Sequence, residues 1–246
     1  KTNVALMTVL RCLSRHRVSG ELQRDAFKIV YVAPMKALAA EMVRSFSKRL
    51  APLGVKVAEL TGDMQLTKAE IEATQMIVTT PEKWDVITRK SNDQVLTQLV
   101  KLLIIDEVHL LHEDRGAVLE ILVARTLRQV EATQSLIRIV GLSATLPNYN
   151  DVARFLRVRS GDGGGLFHFD DAYRPVPLEQ RYIGVRAGNP AALRAATYEV
   201  CYDKVLDSIK QGNQVMVFVH SRKQTAGVGE YIVDRARKRG ELGLLE

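Results

Sequence analysis

The chain has 246 residues, of which 46% are hydrophobic and 26% charged, a composition that excludes a disordered protein. Its net charge of +7 favours an anionic partner, with nucleic acid as the first candidate. The two cysteines, Cys12 and Cys201, lie far apart, which excludes a disulfide scaffold and a zinc cluster. No stretch approaches the ~18 consecutive apolar residues of a membrane-spanning helix, so we expect no membrane partner.

Five short apolar runs predict the strands of a buried parallel sheet. They are Ile29–Ala33, Val55–Leu60, Met76–Val78, Leu102–Ile105 and Ile139–Leu142. The runs are rich in Val and Ile and apolar on both faces, which is typical of strands covered by helices on both sides. The stretches between them, such as 39–50 and 117–130, are amphipathic and long enough to be crossover helices. The sequence therefore predicts an open α/β sheet with helices on both faces.

The pattern restarts after the glycine-rich segment 160–165. Residues 166–169 and 178–185 are predicted to be extended. Helices are predicted over 191–210 and 225–239, and Gly240 is a typical stop residue for the second. A buried strand is predicted between the helices, at Gln214–Val219. We therefore expect a first domain over residues 1–172 and an incomplete second α/β domain over residues 173–246.

Polar and charged residues follow each of the first five predicted strands. The segments are Pro34-Met35-Lys36, Thr61-Gly62-Asp63, Thr79-Thr80-Pro81-Glu82-Lys83, Asp106-Glu107-Val108-His109 and Ser143-Ala144-Thr145. In a parallel sheet all five segments emerge at one edge, and ligands of open α/β sheets bind outside the carboxyl ends of strands. This edge is therefore the predicted functional site.

Asp106 and Glu107 carry the strongest chemical signal, because a buried strand delivers two adjacent carboxylates to the edge. In an enzyme that hydrolyses a nucleotide, Asp106 would hold Mg²⁺, usually through water, and Glu107 would accept the proton of the attacking water. His109 could then sense the nucleotide and contact the neighbouring strand end. The alternative is a strand that ends at a polar turn, since matches of four residues are common.

Two further segments suggest nucleotide chemistry. Lys1-Thr2 precedes a helical stretch, as the end of the phosphate-binding loop GxxxxGKT does. Lys1 would then reach the β- and γ-phosphates, Thr2 would ligate Mg²⁺, and the glycines of the loop would precede Lys1, although the dipeptide alone is weak support. Ser143-Ala144-Thr145 could link nucleotide state to domain movement, or form a hydroxyl-rich helix N-cap before Pro147.

Taken together, the segments resemble the motifs of superfamily-two DExH helicases of the superkiller-like branch. Lys1-Thr2 resembles the end of motif I, and Asp106-Glu107-Val108-His109 resembles motif II. The other matches are 33–39 with motif Ia, 59–63 with the TGD motif, 79–85 with motif Ib, 143–145 with motif III and 217–222 with motif IV. Seven matches in the right order exclude coincidence. The longer stretches 109–116 and 141–149 resemble the large two-cassette helicases of that branch.

The resemblance implies two RecA-like domains of the P-loop NTPase fold, with ATP and Mg²⁺ between them. It implies catalytic roles for Glu107, Asp106 and His109, and a single strand of RNA or DNA along which the enzyme moves 3′ to 5′. The residues implied to bind that strand are Pro34, Met35, Lys36, Thr61, Gly62, Thr80, Pro81, Glu82, His220, Ser221 and Arg222. It also implies a larger ribonucleoprotein or repair complex as partner, in the nucleus or cytoplasm.

Three functional hypotheses follow. The first is a fragment of an ATP-driven helicase; motifs V and VI would lie beyond Glu246, so we expect the chain alone neither to hydrolyse ATP well nor to unwind a duplex. The second is a catalytically inactive helicase-like cassette that acts as a binding or scaffolding module, and the intact Asp106-Glu107 pair and Lys1 count against it. The third is a P-loop ATPase unrelated to nucleic acid, which would have no use for motifs Ia, Ib and IV.

Overall fold

A computed structural model describes residues 1–62, 66–89, 94–144, 146–159, 161 and 164–245. The chain divides into two compact units, Lys1–His168 and Phe169–Glu246. In the described part of the chain, no helix is long and apolar enough to cross a membrane.

The first unit is built on a five-stranded parallel sheet. A short antiparallel hairpin, β1 (Arg17–Val18) and β2 (Glu21–Leu22), precedes it. The sheet strands are β3 (Lys28–Val32), β4 (Val57–Leu60), β5 (Met76–Thr79), β6 (Val100–Ile105) and β7 (Arg138–Gly141), in the spatial order β4-β5-β3-β6-β7. All five predicted strands are confirmed, with small shifts at their ends. The three central strands β5, β3 and β6 are buried, whereas the outer strands β4 and β7 are partly exposed.

Helices cover both faces of this sheet, as predicted. They are α1 (Thr2–Arg15), α2 (Lys36–Leu50), α3 (Lys68–Ala73), α4 (Pro81–Arg89), α5 (Gln94–Leu99), α6 (Gly116–Thr133) and α7 (Tyr149–Phe155). Alternation along β3 divides the core: Ile29 and Tyr31 pack with α1 and α2, whereas Val30 and Val32 pack with α4 and α6. The strand ends between these layers form the edge on which the sequence analysis placed the functional site.

Lys28, at the start of β3, is a buried charge that the sequence analysis did not predict. Its ammonium group donates to the carbonyls of Ile71, Glu72 and Thr74, at 2.9, 2.6 and 2.5 Å. The last carbonyls of a helix lack partners within the helix, and a cation is favourable at that end of the helix dipole. Lys28 therefore closes the carboxyl end of α3 and fixes it beside the sheet.

The second unit contains two long helices, α8 (Pro190–Lys210) and α9 (Arg222–Arg239), both predicted from the sequence. Each begins at a side-chain cap, because Asn189 accepts the amide of Ala192 and Ser221 accepts the amide of Gln224. The predicted stop at Gly240 is confirmed by its left-handed φ of 68°. The helices share a small core of Tyr202, Leu206 and Ala236.

The predicted buried strand Gln214–Val219 is wrong. The structure shows no strand in the described residues of the second unit, and Met216 and Phe218 are 77% and 87% exposed. The segments 166–169 and 178–185 form no strand either. A buried strand needs neighbouring strands for its backbone groups and helices over both faces, and no described segment of this unit supplies a neighbouring strand. An apolar run alone therefore could not determine this element.

Candidate functional site

Asp106 lies at the centre of the sheet edge, directly after β6. Its amide donates to the Val32 carbonyl at 3.0 Å, so the chain stays paired with β3 up to this residue. Its carboxylate accepts from the Tyr31 hydroxyl at 2.6 Å and from the Glu107 amide at 2.9 Å. The two donors hold the carboxylate in one orientation.

Tyr31 is the residue at this edge that sequence reasoning missed. It is 1% exposed on β3, and burial together with the bond to Asp106 raises its pKa, so the hydroxyl keeps its proton and remains a donor. The available signal was a phenol within the otherwise aliphatic run Ile29–Ala33. A buried tyrosine hydroxyl usually has a hydrogen-bond partner. Its partner depends on strand order, which the run does not show.

Glu107 has an unusual backbone and an unusual carboxylate. Its φ of 51° and ψ of 46° lie in the left-handed region, and the chain turns there from β6 into a 3-10 helix, Val108–His112. One carboxylate oxygen, Oε1, accepts from the Lys1 ammonium group. The other, Oε2, is buried and has no hydrogen-bond partner among the described residues. Backbone strain and an unpaired buried oxygen on one residue point to a functional role.

His109 connects this carboxylate to the end of the neighbouring strand. Its Nδ1 accepts the Ala144 amide at 3.3 Å and lies 3.4 Å from Ser143 Oγ. Since an amide can only donate, Nδ1 is the acceptor of this contact, which places the ring proton on Nε2. Nδ1 also lies 3.4 Å from Glu107 Oε2, but without a proton it cannot donate to that oxygen. The predicted contact with Ser143 and Ala144 is formed, whereas Thr145 lies outside the described residues.

The residues predicted to hold a nucleotide and Mg²⁺ suit those ligands chemically. Lys1 and Thr2 stand at the amino end of α1, and the amide groups at such an end favour phosphate. The carboxylate of Asp106 retains lone pairs beyond its two hydrogen bonds, and Mg²⁺ prefers carboxylate oxygens and water. Glu107 Oε2 is an acceptor for which the described residues supply no donor. The edge therefore fits a magnesium nucleotide.

The predicted strand-binding residues of the first unit divide into exposed and buried groups. Met35 is 52% exposed at the start of α2, and Glu82 is exposed in the first turn of α4. Gly62 lies against Lys36, because a Cβ on this glycine would be 3.5 Å from the lysine Nζ. Four residues are buried and offer little surface to a ligand. They are Pro34, Thr61, Thr80 and Pro81.

The second-unit residues of the predicted strand-binding set surround the start of α9. The hydroxyl of Ser221 caps the helix, while the amide of His220 donates to the Gln224 side chain at 3.0 Å. The side chains of His220 and Arg222 are exposed. Capping explains Ser221 without a ligand, whereas the exposed His220 and Arg222 remain candidates for binding.

Comparison with known proteins identifies the family and its relatives. The family model described as DEAD/DEAH box helicase matches residues 1–152. The chain is 64% identical over 244 residues to the DExH-box ATP-dependent RNA helicase DExH14 of Arabidopsis thaliana. It is 61% and 59% identical to activating signal cointegrator 1 complex subunit 3 of Danio rerio and Homo sapiens, over 248 and 243 residues. The alignments include 99%, 100% and 98% of this chain but only 11%, 16% and 11% of those proteins.

Solved helicase structures show the same fold at low sequence identity. The chain matches DUF1998 helicase MrfA bound to DNA with a TM-score of 0.66 and 18% identity, over 95% of this chain and 32% of that one. MrfA bound to DNA and AMPPNP matches with a TM-score of 0.58 and 19% identity, over 89% and 31%. Among two-cassette helicases, the stretch 35–41 and Val108 favour the cointegrator-complex subunit over the Brr-type spliceosomal helicase, and the relatives agree with that prediction. The chain belongs to the DEAD/DEAH box helicase family.

Proposed function

We propose that this chain is part of an ATP-dependent helicase that moves 3′ to 5′ along single-stranded nucleic acid and unwinds duplexes or remodels complexes. The observation that carries the proposal is the group formed by Lys1, Glu107 and His109, in which one buried carboxylate oxygen has no hydrogen-bond partner among the described residues. A catalytically inactive cassette has no use for that arrangement and is not favoured. The domain boundary between residues 172 and 173 and the RecA-like character of the second unit belong to the same proposal.

The two oxygens of Glu107 have different surroundings, and this difference suggests the mechanism. Oε1 accepts from Lys1, whose ammonium group would also bind the β- and γ-phosphates. Oε2 has no protein donor among the described residues and is the oxygen that would accept the proton of the attacking water. Asp106 and Thr2 would hold Mg²⁺, which neutralises charge on the phosphate oxygens when bound.

His109 would transmit the state of the nucleotide to the strand end that carries Ser143 and Ala144. Because Nδ1 accepts the Ala144 amide, the ring proton is on Nε2, which remains a donor. A shift of Glu107 or of the ring would change the contact with Ala144. Residues 143–145 would in this way couple hydrolysis to movement of the two domains.

The proposed substrate is single-stranded RNA or DNA, bound through its backbone. DExH14 is named an RNA helicase and MrfA was solved with DNA, and backbone contacts hardly distinguish the two. Two of the named relatives are subunits of a complex. We therefore propose that the full-length protein works in a larger ribonucleoprotein or repair complex, in the nucleus or the cytoplasm.

Glu107→Gln in the full-length protein tests the assignment of the base. We expect ATP binding to persist and single-turnover hydrolysis to fall by about 100-fold or more, since a general base contributes roughly 10²–10⁴ in rate. Glu113→Gln is the matched control, because Glu113 is an exposed carboxylate six residues further along the chain. Hydrolysis by Glu107→Gln at the rate of the control would show that Glu107 is not the base.

The isolated 246-residue chain provides a second test. We expect it to bind single-stranded nucleic acid with an affinity that falls as salt rises, and to hydrolyse ATP poorly with or without that strand. Filter binding with poly(U) and single-stranded DNA across a salt series measures the first property, and a nucleic-acid-stimulated ATPase assay measures the second. Robust turnover by the isolated chain would contradict the need for motifs V and VI.

A further inference from the structure

Arg115 joins the two segments of the first unit that are predicted to bind the strand. Its Nη1 donates to the Pro34 carbonyl at 2.5 Å, and its Nε lies 3.4 Å from Glu82 Oε1. Pro34 follows β3, whereas Glu82 lies in the first turn of α4. None of the motif matches assigned a role to Arg115.

We propose that Arg115 is a positioning residue for nucleic-acid binding, and this inference rests on the proposed function. It would hold the segment that contains Pro34 in place and neutralise Glu82 at an edge that must accept a polyanion. Glu82 needs such a neighbour because its side chain is 48% exposed, and an uncompensated carboxylate there would repel phosphate groups. The Arg115 side chain is itself 52% exposed, so it can shield Glu82 from an approaching strand.

The energetics separate this role from a structural one. The exposed ion pair between Arg115 and Glu82 contributes little to folding, because solvent screens the charges. Loss of this ion pair should therefore change stability little, and any destabilisation of Arg115→Met comes from the lost bond to the Pro34 carbonyl. Removing Arg115 should weaken the binding of a polyanionic ligand more strongly, because one positive charge is lost and the negative charge of Glu82 is uncovered at the same place.

A rigid turn places Arg115 where it can make both contacts. A Cβ on Gly116 would lie 1.9 Å from the Leu111 carbonyl oxygen, so only glycine fits at that position. The Gly116 amide also donates to the Glu113 carbonyl at 2.8 Å. This turn continues the segment that begins at Glu107 and contains His109. Residues 107–116 thus carry the ATP-site carboxylate at one end and the proposed positioning residue at the other.

The experiment compares Arg115→Met, the double variant Arg115→Met with Glu82→Gln, and Arg128→Met in the full-length protein. Arg128 is an exposed arginine near the far end of α6, so its variant controls for net charge. Fluorescence anisotropy with labelled poly(U) and labelled single-stranded DNA gives the affinity at several salt concentrations. Thermal unfolding of each variant confirms that the fold is retained.

We expect Arg115→Met to weaken binding about tenfold relative to Arg128→Met, and Glu82→Gln to restore most of that loss in the double variant. Equal affinities of Arg115→Met and Arg128→Met would overturn the role of Arg115 alone. A double variant as weak as Arg115→Met would overturn the neutralisation of Glu82. Failure of the wild-type protein to bind either strand would overturn the proposed function, and with it this inference.

Discussion

Replacing Lys28 tests how the first unit holds α3 against its sheet. The side chain is 2% exposed and donates to three carbonyls at the end of α3. Lys28→Met keeps the length of the side chain but removes the donor and leaves the carbonyls buried. A hydrogen bond to a charged group contributes ~1.5–3 kcal/mol, and part of the loss is offset because an ammonium group no longer has to be desolvated. We therefore expect the free energy of unfolding to fall by about 3 kcal/mol.

Tryptophan fluorescence during urea unfolding measures this change in the first unit. Trp84 is the chain's only tryptophan and is 2% exposed in that unit, so its emission reports on the unit that contains Lys28. With a slope of about 2 kcal/mol per molar urea, a loss of about 3 kcal/mol lowers the midpoint by about 1.5 M. Lys68→Met, at an exposed position of α3, is the control and should change stability by less than ~0.5 kcal/mol.

A midpoint for Lys28→Met within about 0.2 M of the wild type would refute this reasoning. It would mean that water or another donor satisfies the carbonyls of Ile71, Glu72 and Thr74 when the lysine is absent. Removing both partners of a buried polar contact can be neutral, but this variant removes only the donor. The expected loss of stability in Lys28→Met therefore follows from carbonyls that stay buried without a donor.

Three further predictions concern Tyr31, Gly116 and Cys12. Tyr31→Phe removes a donor to Asp106 and should raise the Mg²⁺ concentration needed for nucleotide binding about tenfold. A Mg²⁺ titration measures this, with Tyr182→Phe at an exposed position as the control. The same Mg²⁺ requirement in both variants would contradict a role for the Tyr31 hydroxyl. Gly116→Ala should lower the urea midpoint by the equivalent of ~1–3 kcal/mol, because its Cβ would collide with the Leu111 carbonyl. Gly188→Ala should leave the midpoint unchanged, because a Cβ there would meet no atom within 4 Å beyond its chain neighbours. Burial raises the pKa of Cys12 from 9.0 to about 11, so the native state keeps a proton that the unfolded chain loses. Stability should therefore fall between pH 9 and 11, and less so in Cys12→Ala; identical pH profiles would refute this.

The first unit was predictable because its signals are local. Each strand of a parallel sheet buried on both faces is a continuous apolar run, and the carboxylates of Asp106 and Glu107 follow one such run directly. The same holds for α8 and α9, whose caps and stop residue lie next to the helices that they limit. The strand predicted over Gln214–Val219 failed because a strand depends on neighbours that its own residues do not specify.

The residues that the sequence did not reveal depend on contacts between segments that are distant along the chain. Tyr31 resembles a core residue until β6 is placed beside β3, which brings Asp106 within reach of its hydroxyl. Lys28 resembles an ordinary polar residue at the start of a strand until the end of α3 is placed beside it. Arg115 looks like an ordinary surface arginine, and its contacts with Pro34 and Glu82 come from segments far along the chain. Strand order, rather than composition, determines these roles.

The energetic cost of Glu107 favours the proposed hydrolase over an inactive module. A non-glycine residue in the left-handed region costs roughly 1–3 kcal/mol, and an unpaired buried oxygen costs a similar amount. Glycine at this position would remove both costs, since it adopts a φ of 51° readily and carries no carboxylate. Because His109 accepts from Ala144 through Nδ1, it cannot relieve the unpaired Oε2 by donating to it. A module that only binds nucleic acid has no use for this destabilising arrangement. A hydrolase, in contrast, needs a carboxylate oxygen that is free to accept the proton of the attacking water.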